Sequence, residues 1–129
     1  MSWYGGAMQM THERFVTFLR KVSASDAGEQ FASADVVAAF EARDIGSRIV
    51  IDTKNRPGDG AWFSVHVDEE TAPPVEVTFS ARAEIFDRVL RGDLGIMLAI
   101  ASRKILAEGK VPRAMRLVPA FERSLPLYR

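Results

Sequence analysis

The spacing of hydrophobic and polar residues changes character several times along the chain. From Thr11 onward Phe15, Phe18, Leu19 and Val22 recur at i, i+3, i+4, i+7, the stripe of an amphipathic helix that Thr11 can cap and that runs to about Ala24. Residues 1–9, with Trp3, Tyr4, Gly5 and Gly6, show no period and are expected to form a loose arm. Ser23 to Gly28 is a polar break. Ser33 can then cap a shorter helix that turns Val36, Val37 and Phe40 inward and ends by Gly46. At Arg48 the period becomes two. Ile49 and Ile51 alternate with Val50 and Asp52; Phe63, Val65 and Val67 with Trp62, Ser64 and His66; Val75, Val77 and Phe79 with Glu76, Thr78 and Ser80. Three strands, each with one apolar and one polar face, predict an antiparallel meander joined by Asn55–Gly60 and by Asp68–Pro74.

The helical period returns at Ala81. Ile85, Phe86, Val89 and Leu90 form a docking stripe on one helix, and a far more apolar helix follows. In that second helix Leu94, Met97, Leu98, Ala101 and Ile105 share one stripe, while Ile96 and Ile100 lie well round the cylinder from it. A helix apolar on most sides must be covered twice, by protein or by a bound apolar molecule. Gly92 suits the left-handed residue that ends the first helix, and Asp93 can accept from the free N–H groups of the next. Ile105–Val111 reads as a short strand, with Gly109 where a side chain would block a close approach. Pro112 opens a last helix whose stripe is Ala114, Leu117, Val118, Phe121 and Leu125, and Pro119 should kink it or divide it in two.

With 129 residues the chain forms one expected domain, 1–129, large enough to bury about two thirds of its unfolded surface. Seventeen basic residues balance seventeen acidic ones, which argues against a nucleic-acid partner, since such binding needs concentrated positive charge. The lack of cysteine excludes disulfides and thiol chemistry. The apolar run Ile96–Ala101 is too short to span a bilayer, Met1–Met10 lacks the basic start of a signal peptide, and Pro126–Arg129 is not a peroxisomal address. The expected location is the cytoplasm.

Candidate chemistry is sparse. His12 and His66 lie on different elements, and no His or Cys cluster has metal-ligand spacing. His66 shares the polar strand face with Ser64 and Asp68 and could oppose Asp52 or Glu76, but no nucleophile elbow or glycine loop offers an oxyanion hole, and a surface charge pattern explains the same residues. Asn55–Gly60 is not followed by a helix, so it reads as a turn and not as a phosphate cradle. Arg103, Lys104 and Lys110, with Arg113 and Arg116, cluster beside the apolar helix; they could meet an anionic head group or membrane surface, or simply complement a helix end.

The order of elements in the last two thirds, with Gly-Asp-Leu between helices, a Met-containing apolar helix, an Ile-Leu-Ala-Glu-Gly-Lys strand and an amphipathic closing helix, resembles the sterol carrier protein family of nonspecific lipid-transfer domains. The matching residues are Gly92, Leu94, Ala99, Gly109, Lys110 and Leu117. One departure is Ser102-Arg103-Lys104, where many members of the family carry a second glycine. The resemblance implies an α+β fold, an antiparallel sheet with helices packed on one face and a tunnel between its apolar face and the C-terminal helices. It implies noncatalytic binding or transfer of a fatty acid, fatty acyl-CoA, sterol or isoprenoid, without cofactor or metal. Phe79, Phe86, Leu90, Leu94, Met97, Leu98, Ala101, Met115 and Phe121 would line the cavity, and Arg103, Lys104 and Lys110 would meet a head group or, transiently, a membrane. A competing expectation is an accessory or dimerisation domain whose cavity is filled by side chains and whose helices bind a protein partner. The sequence leaves the choice between monomer and dimer open.

Overall fold

A computed structural model describes residues 3–128, with side chains from His12 onward. The elements run α1 (Trp3–Ser23), α2 (Gly28–Ala32), β1 (Val37–Ala42), β2 (Ser47–Asp52), β3 (Ser64–Val67), β4 (Val77–Ala81), α3 (Ala83–Leu90), α4 (Ile96–Ala101), β5 (Leu106–Gly109), α5 (Val111–Ala114) and α6 (Leu117–Ser124), closed by a 3-10 turn at Leu125–Tyr128. The five strands form one sheet in the order β3-β2-β1-β4-β5. The fold is α+β, as the residue pattern implies.

Four local expectations change. The first helix begins at Trp3, so Thr11 lies inside it and does not cap it; of the expected loose arm, residues 1 and 2 lie outside the described residues. The helix expected from Ser33 is the strand β1, and the polar break before it holds α2 instead. Val36, Val37 and Phe40 fit a helical stripe, but the run Val37–Ala42 is buried almost throughout, as befits a central strand covered on both faces. Ala38 and Phe40 face the main core, whereas Val37 and Ala39 join Val50 on the opposite face under Ala72 and Val75. The sheet is mixed, not wholly antiparallel. β4 does not pair with β3; it crosses over and runs parallel to β1, Phe40 opposite Phe79, while β2, β3 and β5 pair antiparallel. Lastly, Asp93 does not cap α4. That helix starts after Gly95 without a side-chain cap, and Asp93 lies 3.6 Å from Arg91.

Other local readings hold. Gly92 has φ +83° and closes α3 with the paired bonds from its own N–H to the Val89 carbonyl and from Asp93 N–H to the Arg88 carbonyl. Gly109 has φ +100°, and a β-carbon there would collide with the Glu76 carbonyl oxygen of the neighbouring strand. The last helix is divided at Met115–Arg116, and Pro119 falls in the first turn of α6, where its missing N–H is tolerated. All eight phenylalanines are buried, and their rings form one continuous set of contacts joining α1, α2, α3 and α6 to the sheet.

Candidate functional site

Between the sheet and the C-terminal helices lies an apolar cavity. Phe15 of α1, Phe40 and Phe79 on the sheet, Phe86, Val89 and Leu90 of α3, Ile96 and Ile100 of α4, Ile105, and Ala114, Leu117, Val118 and Phe121 of α5 and α6 line it. Every one of these side chains is hydrocarbon or aromatic. The volume open to the centre of a water-sized sphere is about 50 Å³. That would admit a few waters by size, but the walls offer them no hydrogen bond. It is too small for a long chain unless the walls part.

The structure divides the expected lining. Phe79, Phe86, Leu90 and Phe121 border the cavity; Leu94 and Met115 pack on the core outside it; Met97, Leu98 and Ala101 point the other way, with Met97 56% and Leu98 62% exposed. The stripe of α4 taken as inward is thus its solvent face. Ile96 and Ile100, set apart in the sequence pattern, are the residues that close the cavity. The pattern could not choose, because α4 is apolar on both sides and has only six residues. Phe15, Phe40, Val89, Ile105, Ala114, Leu117 and Val118 also line it. Phe15, Val89, Ile105, Ala114, Leu117 and Val118 belong to stripes visible in the sequence, but which part of a stripe borders a void depends on packing.

The cationic residues separate into two groups. Arg103 and Lys104, just after α4, are exposed and make no ion pair among the described residues. Arg103 has φ +63°, so an arginine takes the left-handed position that ends α4, where glycine is usual. Lys110, at the other end of β5, is held elsewhere. Its Nζ lies 3.2 Å from Glu76 Oε2, which Lys54 approaches to 3.0 Å and Arg113 to 3.7 Å. Glu76 Oε1 also accepts from the Val37 N–H. These contacts, the Lys54 hydrogen bond foremost, outweigh partial burial and draw the Glu76 carboxyl down to about 2.

The polar face of β3 carries a chain of contacts that the residue pattern only partly anticipates. Ser64 Oγ and His66 Nε2 are 2.9 Å apart, and His66 Nδ1 is 2.9 Å from Glu69 Oε2. Asp68 turns away to Ser47 Oγ and the Arg48 N–H. Asp52 and Glu76 are engaged with other groups. Ser64 is followed by strand, so no helix N-terminus supplies oxyanion donors, and the chain of contacts does not border the apolar cavity.

One polar side chain does adjoin the cavity wall. His12 of α1 is 2% exposed, and neither ring nitrogen has a hydrogen-bond partner among the described residues. Its ring meets Phe15 edge-on at 6.0 Å and Phe86 at 6.4 Å. Burial lowers its pKa, against the opposing pull of the Asp68 and Asp44 carboxylates. The sequence alone suggests a solvated histidine in a first helical turn; the longer α1 and its packing on α3 bury it.

The α+β arrangement of a five-stranded mixed sheet and helices is shared with solved structures of sterol carrier protein 2 domains. The sterol carrier protein domain 2 of Helicoverpa armigera superposes with a TM-score of 0.66 at 19% identity, covering 87% of this chain and 86% of that one. A UbiJ-SCP2 ubiquinone synthesis protein gives 0.57 at 16% identity, covering 96% and 95%. A double mutant of the sec-alkylsulfatase PisA1 gives 0.62 at 14% identity over 82% of this chain, which spans only 15% of that enzyme's length. No protein-family model and no curated protein matches the sequence. The chain has the sterol carrier protein 2 fold.

Proposed function

We propose that the protein is a noncatalytic lipid-binding or lipid-transfer domain that takes an apolar chain between its sheet and its C-terminal helices. The observation that carries this reading is a cavity bordered by thirteen apolar side chains and lidded by a short helix apolar on both faces. Proteins of this fold named as sterol carriers support it. Burying ten methylenes gains about 8 kcal/mol at roughly 0.8 each, before the ordering cost of binding is subtracted. Affinity should therefore be micromolar or weaker and graded by chain length, for a fatty acid, fatty acyl-CoA, sterol or isoprenoid. Uptake requires α4 or α6 to swing outward, since the resting cavity is small. The outer face of α4 suits a transient encounter with a membrane surface, from which the cytoplasmic carrier would load.

Ile100→Trp should fill the cavity and abolish uptake of a fluorescent acyl probe, while Met97→Trp should leave uptake intact. Equal uptake by wild type and Ile100→Trp would sink the reading. A second reading, an accessory domain that binds a protein partner, is favoured by the same exposed Met97 and Leu98 and by the small resting cavity. A protein that takes up no lipid yet elutes as a dimer or stable complex would support it.

A further inference from the structure

The buried imidazole of His12 is unexplained by packing. A neutral histidine carries one donor and one acceptor, and burying both without partners costs free energy that a leucine or phenylalanine at the same position would not. Among the described residues neither nitrogen is satisfied. Its two ring neighbours, Phe15 and Phe86, lie 5.5 Å apart and both line the apolar cavity. The cavity must enlarge to accept a chain, and displacement of either ring on the α1–α3 side would uncover His12. The carboxylates of Asp44, in the turn after β1, and Asp68, after β3, bear electrostatically on the imidazole. These carboxylates disfavour an anionic head group at this end; Arg103 and Lys104 stand beside the α4 lid instead.

We propose that His12 is the polar anchor of the cavity, hydrogen-bonding the hydroxyl or carbonyl oxygen of a neutral lipid whose apolar chain runs from Phe86 toward α4. The inference rests on the lipid-binding reading and narrows it, favouring an alcohol, sterol, prenol or quinone over a fatty acid. A hydroxyl both donates and accepts, and either tautomer of a neutral imidazole satisfies it. The occupant then lies head inward, with its chain end under Ile96 and Ile100.

Decan-1-ol and 1-chlorodecane, equal in chain length but different in their terminal group, test this by calorimetric titration of wild type, His12→Leu and His12→Gln. One buried hydrogen bond predicts that the alcohol-to-chloroalkane affinity ratio falls about tenfold in His12→Leu and largely recovers in His12→Gln. The His12 imidazole 15N resonances of the wild-type protein should also shift on addition of decan-1-ol and not of 1-chlorodecane; this readout needs no variant to fold. An unchanged ratio with unmoved resonances overturns the role of His12 while leaving lipid binding standing. If wild type binds neither compound, the lipid-binding reading fails, and the inference with it.

Discussion

At the scale of single residues, the most perturbed groups have traceable causes. Glu76 is only 13% exposed and gathers Lys54, Lys110, Arg113 and the Val37 N–H around one carboxylate, joining β4, β5 and the start of α5 to β1. Its carboxyl titrates near 2 in the folded protein against 4.5 ordinarily. The unfolded chain therefore binds the proton first, and the stability this group supplies is complete above pH 4.5 and lost as pH falls from 4.5 toward 2. Glu76→Gln should destabilise the protein by about 1 kcal/mol at pH 7, a modest figure because its cationic partners are solvated. Chemical denaturation across that window should be flatter for the variant than for wild type; parallel curves would refute the assignment. None of this was legible in the sequence, where Glu76 is one more polar position in an alternating strand. Gly92 and Gly109, by contrast, were legible, because their roles depend on backbone conformation and on the absence of a β-carbon at a marked place in the pattern.

At the scale of elements, α4 carries the exposed large hydrophobic residues Met97 and Leu98. Six residues give fewer than two turns, so the helix owes its position to Leu94 and Ile105 at its flanks and to Ile96, Ala99 and Ile100 beneath it. Its outward Met97 and Leu98 are followed in the chain by exposed Arg103 and Lys104, so the proposed membrane encounter would combine apolar insertion with attraction to anionic lipid. Replacing Met97 and Leu98 together by serine should reduce binding to phosphatidylserine vesicles at least tenfold, since each side chain gains about 1.5–3 kcal/mol on full burial. Added salt should weaken the wild-type interaction. Undiminished vesicle binding by the double variant would show that another surface makes the contact. Under the proposed function the lid and the membrane-facing surface are two faces of one element, so membrane contact would be coupled to opening of the cavity.

At the scale of the whole molecule, a ligand that enters the cavity binds the folded chain and not the unfolded one. Saturation at about a hundred times Kd should raise stability by about 2.7 kcal/mol, read as an upward shift in Tm that grows with ligand concentration. A cavity filled permanently by side chains predicts no shift with any lipid. The sequence by itself determined the main ingredients: the apolar stripes of α1, α3 and α6, the alternating strands β3 and β4, the breaks at Gly92, Gly109 and Pro112, and a helix apolar on both sides, although the structure covers only one side of that helix and buries β2 on both of its faces. These follow from periodicity and from backbone chemistry, which act over a few residues. Only the tertiary structure decided that Val37–Ala42 is a central strand, that β4 runs parallel to β1, that Ile100 and not Met97 faces inward, and that His12 is buried beside Phe15 and Phe86. A period of two or 3.6 says which residues share a face; what that face meets is set by elements distant in the chain.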